Sequence, residues 1–152
     1  MKIIFLDIDG VINSLHDYIP KNNNSPIHHL SPKYISRLNT IINVTGAKVV
    51  ISSMWRIGYR LSSIEVWLKQ QGFIGEIVGE TPILPESKDI DRGDEIKFWL
   101  NSNDNIESFV ILDDIDYNGI VKYYYPQFVH VKKSTGLLPK HVEKAIRILE
   151  KK

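Results

Sequence analysis

Residues 3–10 read IIFLDIDG, an apolar run that ends in two aspartates. The segment from Lys2 to Ile8 has the length of a β-strand and is almost continuously apolar, which is typical of a strand buried on both faces of a sheet. Asp7 and Asp9 are two residues apart, so their side chains lie on the same side of an extended chain. They repel one another unless a cation or a shared proton lies between them.

Four more apolar runs of strand length follow, and helical patterns separate them. The predicted strands are Ala47–Ser52, Ile74–Val78, Phe109–Leu112 and Phe128–Val131. The predicted helices run from Ser31-Pro32 to Gly46, from a capping box of Ser62 and Glu65 to Gly72, from about Asp91, and from Pro139. This alternation predicts an α/β sandwich with a mostly parallel sheet, formed by one domain over residues 1–152.

The composition excludes several classes of protein. The chain has 152 residues, a formal net charge of +1, 43% hydrophobic and 24% charged residues, as in ordinary globular domains. It has no cysteine, which excludes disulfides, zinc–thiolate sites and a cysteine nucleophile. The N-terminus lacks the pattern of a signal peptide, and every apolar run falls far short of the ~20 residues that span a bilayer. We therefore expect a cytoplasmic protein with no membrane partner.

Polar side chains follow the predicted strands at their carboxyl ends, where open α/β sheets bind ligands. The second strand is followed by Ser52 and Ser53, whose hydroxyls and backbone N–H groups suit an anion, and Arg56 adds a positive charge. The fourth strand is followed by Asp113 and Asp114, and oxygen ligands of this kind suit Mg²⁺. These groups at one edge predict a magnesium site that binds a phosphoryl group.

A basic residue is also expected in this crevice. Lys88 and Arg92 precede the fourth strand, and either could reach back to the acidic cluster. The region is strongly acidic, since residues 76–116 hold 12 acidic and 3 basic residues.

Three segments together resemble the motifs of the haloacid dehalogenase (HAD) superfamily. IIFLDIDGVIN at 3–13 resembles its first motif, VVIS at 49–52 its second, and VILDD at 110–114 its fourth. The segments SSMWR, RGDEIKFWL, LDD and STGLLPK are similar to those of small HAD domains associated with RNA repair. The resemblance implies a three-layer sandwich with a mostly parallel, five-stranded Rossmann-like sheet.

The resemblance also implies roles for particular residues. Asp7 would be the nucleophile that forms an aspartyl-phosphate, and Asp9 the general acid and base, with its backbone carbonyl near the metal. Arg92 or Lys88 would supply the basic side chain of the third motif, and Arg92 is the preferred candidate because Arg92-Gly93 lies at a helix start that could point at the crevice. The remaining expected roles are phosphate binding by Ser52, Ser53, Arg56 and Gly10, magnesium binding by Asp7, Asp9, Asp113 and Asp114, and a supporting role for Asn118.

The spacing of the motifs leaves no room for a cap domain. About 40 residues separate Asp9 from Ser52, and Glu80 to Asp91 is only 12 residues, too few in either case for a folded insertion. An open crevice would admit a large phosphorylated substrate such as a nucleic-acid end. Two alternatives stay open: a small-molecule phosphatase, and a non-catalytic binding protein that keeps the HAD fold.

Overall fold

A five-stranded, all-parallel sheet forms the centre of the protein. The computed structural model describes residues 1–16, 25–85, 91–115, 120 and 124–151. The strands are β1 (Lys2–Leu6), β2 (Lys48–Ile51), β3 (Ile77–Glu80), β4 (Ser108–Asp113) and β5 (Phe128–His130). Their order in the sheet is β3-β2-β1-β4-β5, and every neighbouring pair is parallel. The predicted parallel sheet is thereby confirmed.

The apolar run of β1 explains its central position. Because successive side chains of a strand point to opposite faces, Ile4 and Leu6 enter one core, and Ile3 and Phe5 enter the other. The Phe5 ring packs edge-on against Trp99, with 5.4 Å between centroids. Burying a side chain of this size contributes roughly 1.5–3 kcal/mol, so both faces of β1 stabilise the sandwich.

Five helices cover the two faces of the sheet in the described ranges. They are α1 (Pro32–Thr45), α2 (Trp55–Gly58), α3 (Leu61–Gln70), α4 (Arg92–Asn101) and α5 (Pro139–Glu150). Apolar residues of α1, α3 and α5 pack against Ile4 and Leu6, whereas those of α4 pack against Ile3 and Phe5. The three-layer sandwich is therefore confirmed. The described helices include none that is both long and apolar enough to cross a membrane.

Local signals set the ends of two helices as expected. Helix α1 begins with Pro32 after Ser31 and stops at Gly46, which takes the left-handed conformation with φ +68°. Asp91 caps α4: its side chain accepts a hydrogen bond from the Asp94 N–H, and the Asp94 side chain accepts one from the Asp91 N–H. This capping box aims the first turn of α4, which starts with Arg92, at the sheet.

Two of the predicted local details are wrong. Helix α3 begins at Leu61 after Arg60 with no side-chain cap, so the expected capping box of Ser62 and Glu65 does not form. Strand β3 covers Ile77–Glu80 instead of 74–78, and Ile74 is 57% exposed. The reason is that β3 is an edge strand, so its limits follow its pairing with β2, which begins at Ile77, and not its apolar run.

The connections between strands leave the carboxyl edge of the sheet uncovered by an inserted domain. In the described residues, the link from β1 to β2 holds a short 3-10 helix, Pro26–His29, and α1. The link from β3 to α4 holds neither helix nor strand in its described residues 81–85 and 91. The fold is thus the α/β sandwich without a cap that the motif spacing predicts.

Candidate active site

The sheet ladder continues one residue past several strands and so holds the site residues in place. The Asp7 N–H donates to Leu112 O at 3.0 Å, and the Ser52 N–H donates to Leu6 O at 3.0 Å. The same pattern ties Thr81 to Ile51 at 2.9 Å. Because these residues are still bonded to the sheet, their side chains leave the carboxyl edge from a rigid base.

Three carboxylates converge at this edge. Asp7 follows β1, and Asp113 and Asp114 end and follow β4; one oxygen from each lies within 4.8 Å of the others. Asp113 is fully buried and Asp7 is 4% exposed. The structure therefore brings together three of the four predicted metal ligands by their side chains.

Arg92 lies against two of these carboxylates. Its Nη1 donates to Asp113 Oδ2 at 2.6 Å and lies 3.2 Å from Asp7 Oδ2. The other Asp113 oxygen accepts a hydrogen bond from the Ile115 N–H at 2.9 Å. The structure thus places Arg92, the preferred candidate, in the crevice. Lys88 and Asn118 lie outside the described residues.

The serine pair that follows β2 is buried next to β1, the strand that Asp7 follows. Ser52 is fully buried, and its hydroxyl has no hydrogen-bond partner among the described residues. The Ser53 hydroxyl accepts from the Trp55 N–H at 3.3 Å and so shapes the turn into α2. A buried hydroxyl without a partner costs roughly 1–3 kcal/mol, so Ser52, like the buried Thr81 after β3, would gain from a ligand that hydrogen-bonds its hydroxyl.

Asp9 stands apart from the three carboxylates. Its Oδ2 accepts a hydrogen bond from the indole Nε1 of Trp55 at 2.9 Å, and its Oδ1 accepts one from Asn13 Nδ2 at 2.9 Å. The carboxylate is therefore directed to these two donors and not to the acidic group. The metal contact that the resemblance implies for the Asp9 backbone carbonyl stays a prediction.

Gly10 occupies a position that other residues would strain. Its φ is +79°, and a Cβ there would lie 2.6 Å from Asp114 Oδ2 and 2.8 Å from Lys133 Cβ. Its N–H donates to Asn13 Oδ1 at 2.7 Å. Gly10 therefore lets Asp114 approach the turn that follows β1, and phosphate binding by Gly10 stays a prediction.

Arg56 forms contacts within the protein, and its guanidinium faces the Glu95 carboxylate. Its guanidinium donates to Glu95 Oε2 at 2.6 Å, to Thr81 O at 2.9 Å and to Ser53 O at 2.9 Å. The Arg56 side chain is only 2% exposed. The expectation of phosphate binding by Arg56 is revised for this reason: its donors join the carboxyl ends of β2 and β3 to α4.

Residues 3–142 match the family described as the HAD domain in Swiss Army Knife RNA repair proteins. The chain belongs to this family. Neither a curated protein nor a solved structure matches the chain significantly. The membership establishes a HAD-type domain with an RNA repair association, and it indicates an enzyme of phosphatase type.

The electrostatics of this HAD domain favour a cation at the carboxylates. Burial and the charge of Asp7 raise the pKa of Asp113 to about 6 despite the opposing effect of Arg92. Burial and the same neighbour raise the pKa of Asp114 to about 7. Burial alone would lower the pKa of Arg92, but Asp113 and Asp7 raise it above its ordinary value, so the guanidinium stays charged.

The donor set fits Mg²⁺, the ion that the HAD superfamily generally uses. The three carboxylates and Arg92 carry a formal charge of −2 when all are ionised, which one divalent cation balances. All the side-chain donors are oxygens, as Mg²⁺ prefers. Both Asp113 oxygens already accept hydrogen bonds, so Asp7 and Asp114 are the better placed ligands.

Sequence reasoning missed three residues of this site. Asn13 and Trp55 hold Asp9, and Glu95 holds Arg56. Asn13 and Trp55 lie within the quoted motif segments, four residues after Asp9 and two after Ser53, so their positions were visible. The sequence did not reveal the contact between Trp55 and Asp9, because the two residues are 46 positions apart in the chain.

Proposed function

We propose that this HAD domain is a Mg²⁺-dependent phosphomonoester hydrolase that acts through an aspartyl-phosphate on Asp7, with a nucleic-acid end as its substrate. The observation that carries the proposal is the group formed by Asp7, Asp113 and Asp114 with Arg92 against it. This arrangement holds a buried carboxylate nucleophile beside both a metal-binding oxygen set and a fixed positive charge. Phosphoryl transfer depends mainly on such positioning and charge neutralisation.

In the first half-reaction, a carboxylate oxygen of Asp7 attacks phosphorus. The bond between phosphorus and the ester oxygen breaks, and the phosphoryl group is then bonded to Asp7. The departing ester oxygen takes a proton from the Asp9 carboxyl and leaves as an alcohol. Asp9 suits this role because its carboxylate is exposed and is held apart from the buried acidic group.

In the second half-reaction, water attacks the same phosphorus atom. Asp9 now accepts a proton from that water, the bond between phosphorus and the Asp7 oxygen breaks, and inorganic phosphate leaves. Asp7 returns to its free carboxylate and Asp9 to its protonated form. One acid therefore serves both steps, which requires its carboxyl group to keep the same place throughout.

The transferring phosphoryl oxygens need donors that do not move. The free hydroxyl of buried Ser52 supplies one, and the Ser53 backbone N–H at the start of the α2 turn supplies another. Arg92 places a fixed positive charge beside the nucleophile, since its Nη1 lies 3.2 Å from the Asp7 carboxylate. Mg²⁺, held by Asp7 and Asp114, would withdraw charge from the phosphoryl oxygens.

The choice of a nucleic-acid end as substrate has two supports. The carboxyl edge of the sheet bears no inserted cap domain, so a bulky substrate meets no lid from that source. Lys133 lies beside Gly10 at the rim of the crevice, where a lysine can contact the backbone of a polyanion. The RNA repair association of the family agrees with this choice.

A phosphate-release assay tests the proposal. Wild-type protein should hydrolyse an aryl phosphate with Mg²⁺ and lose that activity in chelator, and Asp7→Asn should abolish it in the presence of Mg²⁺. Asp104→Asn, a change at an exposed loop residue, is the matched control and should keep wild-type activity. Activity that survives Asp7→Asn would overturn the mechanism.

Oligonucleotides then test the substrate. A 3′- or 5′-phosphorylated oligonucleotide should be dephosphorylated with a higher kcat/KM than the aryl ester. Lys133→Ala should lower kcat/KM on the oligonucleotide alone. Turnover of small phosphate esters with no gain on either oligonucleotide would instead identify a small-molecule phosphatase.

A further inference from the structure

The two carboxylate oxygens of Asp9 are each held by one donor from a different part of the chain. Trp55 Nε1 donates to Oδ2 and Asn13 Nδ2 donates to Oδ1, both at 2.9 Å. With one hydrogen bond on each oxygen, the carboxylate plane has a defined orientation. Neither donor belongs to the acidic group or to the serine pair, and the proposed function leaves both unused.

Trp55 is a rigid donor. Its ring is buried and packs edge-on against Tyr59 and Trp67, at centroid distances of 5.7 and 6.3 Å. Its backbone N–H donates to Ser53 Oγ at 3.3 Å. The residue therefore ties the orientation of Asp9 to the turn that carries the serine pair, so the two can move only together.

Asn13 completes a closed set of hydrogen bonds around the turn. Its Oδ1 accepts from the Gly10 N–H at 2.7 Å, while its Nδ2 donates to Asp9. Only one orientation of the amide satisfies both contacts, because the Gly10 N–H needs an acceptor and the Asp9 carboxylate needs a donor. Asn13 thus fixes the backbone of the turn and the side chain of Asp9 at once.

These two donors also keep Asp9 away from the acidic group. Asp9 is only two residues from Asp7, and an unrestrained carboxylate at this distance would turn to a bound cation. A carboxylate bound to a metal ion cannot deliver a proton to the leaving oxygen. A displacement of about 1 Å in a reacting group can cost up to 10²-fold in rate.

We propose that Trp55 and Asn13 are positioning residues, which hold the Asp9 carboxyl group at the leaving oxygen of the substrate. This inference rests on the proposed function, because it assigns a task within that reaction. Their effect is specific to proton transfer. It should therefore depend on how much the leaving group needs a proton.

The test compares two esters in the Trp55→Phe variant, which removes the N–H but keeps an aromatic ring. On an alkyl phosphate, whose leaving group needs protonation, kcat/KM should fall by at least about 10-fold, since general acid–base catalysis contributes roughly 10²–10⁴-fold. On p-nitrophenyl phosphate, whose leaving group departs as an anion, kcat/KM should fall less than about 3-fold. The comparison uses kcat/KM because it reports the steps up to departure of the leaving group and excludes the later hydrolysis, in which Asp9 serves both esters alike. Asn13→Ala should show the same contrast and guards against a folding defect in the tryptophan variant.

Trp99→Phe is the matched control, since Trp99 is a buried tryptophan of the other core, packed on Phe5. It should lower the rates of both esters by the same factor. A second readout needs no activity: in protein labelled with ¹⁵N-tryptophan, Asp9→Asn should shift the indole signal of Trp55 and leave that of Trp99 in place.

The outcomes separate the two proposals. If wild-type protein is active and needs Asp7, but Trp55→Phe and Asn13→Ala lower kcat/KM equally on both esters, the positioning role is overturned while the phosphatase stands. A Trp55 indole signal that does not shift in Asp9→Asn would overturn the positioning role as well. If the wild-type protein releases no phosphate from any ester, the proposed function fails first and the positioning role fails with it.

Discussion

Arg92 carries the charge on which the folded acidic group depends, so replacing it by methionine should destabilise the protein strongly. The guanidinium lies 2.6 Å from Asp113, which is fully buried, and 3.2 Å from Asp7. Removing one partner of a buried ion pair typically costs about 3–5 kcal/mol, because the other charge stays behind without compensation. At roughly 2–4 °C per kcal/mol for a chain of this size, the melting temperature should fall by about 6–20 °C.

The assay is thermal and urea unfolding in chelator at pH 7.5, followed by circular dichroism. Lys69→Met is the matched control: it deletes an exposed pair with Glu65, 2.7 Å long, on the surface of α3, and should cost no more than about 0.5 kcal/mol. Both substitutions keep an unbranched aliphatic side chain, so the difference between them measures the buried charge.

The pH dependence of this loss has a defined sign. Burial and Asp7 raise the pKa of Asp113 to about 6, so at pH 5 this carboxyl is mostly protonated and no longer needs a cation. The cost of Arg92→Met should therefore be smaller at pH 5 than at pH 7.5. Adding Asp113→Asn to the variant should recover part of the stability, giving a non-additive double-mutant cycle. A loss below about 1 kcal/mol at pH 7.5, or strictly additive effects, would refute the reasoning.

Three further predictions follow from the same contacts. In chelator, the free energy of unfolding should fall as the pH rises from 3.8 to about 7, because burial and Asp7 raise the pKa of Asp114 in the folded state and so favour its protonated form. Mg²⁺ should restore the melting temperature at pH 7.5 and have little effect at pH 5. A free energy of unfolding that does not change with pH would contradict this prediction. Gly10→Ala should lower the free energy of unfolding, measured by chemical denaturation, by about 1–2 kcal/mol because of the positive φ at this position. The same variant should bind Mg²⁺ more weakly in calorimetry, because the added Cβ displaces Asp114. Gly58→Ala is the control and should change neither quantity, since its Cβ would meet no atom within 4 Å. Arg56→Met should destabilise the protein by about 3–5 kcal/mol, because it leaves Glu95 unpaired. The KM for an aryl phosphate should not change. A raised KM at unchanged stability would show instead that Arg56 binds phosphate.

Local patterns predicted most of the fold because the physical causes are local. The apolar run of β1 has no polar residue to leave at a surface, so it requires cover on both faces, and the structure gives it two cores. Pro32 and Gly46 act on their own backbone and bound α1 as expected. The edge strand β3 was misplaced because its limits depend on one neighbouring strand and not on its own residues.

The acidic group was predictable for a related reason. Carboxyl ends of parallel strands meet at one edge, so residues that follow β1 and β4 must be neighbours whatever surrounds them. Asp7, Asp113 and Asp114 therefore come together as the sequence indicates. The sequence also named Arg92 as the preferred basic residue because a helix start is a direction that local capping can set.

What only the tertiary structure decided is the partner of each polar side chain. The sequence predicts Arg56 as a cation available to a phosphate, but Glu95 and the carbonyls of two backbone segments, Ser52-Ser53 and Thr81-Pro82, accept its hydrogen bonds. The sequence predicts Asp9 as a second metal ligand beside Asp7. In the structure its carboxylate instead accepts a hydrogen bond from Trp55, which lies 46 residues later in the chain. The residue type of a side chain determines which hydrogen bonds it can make. Which partner it meets depends on distant segments being packed to within about 3 Å, and that is a property of the folded chain alone.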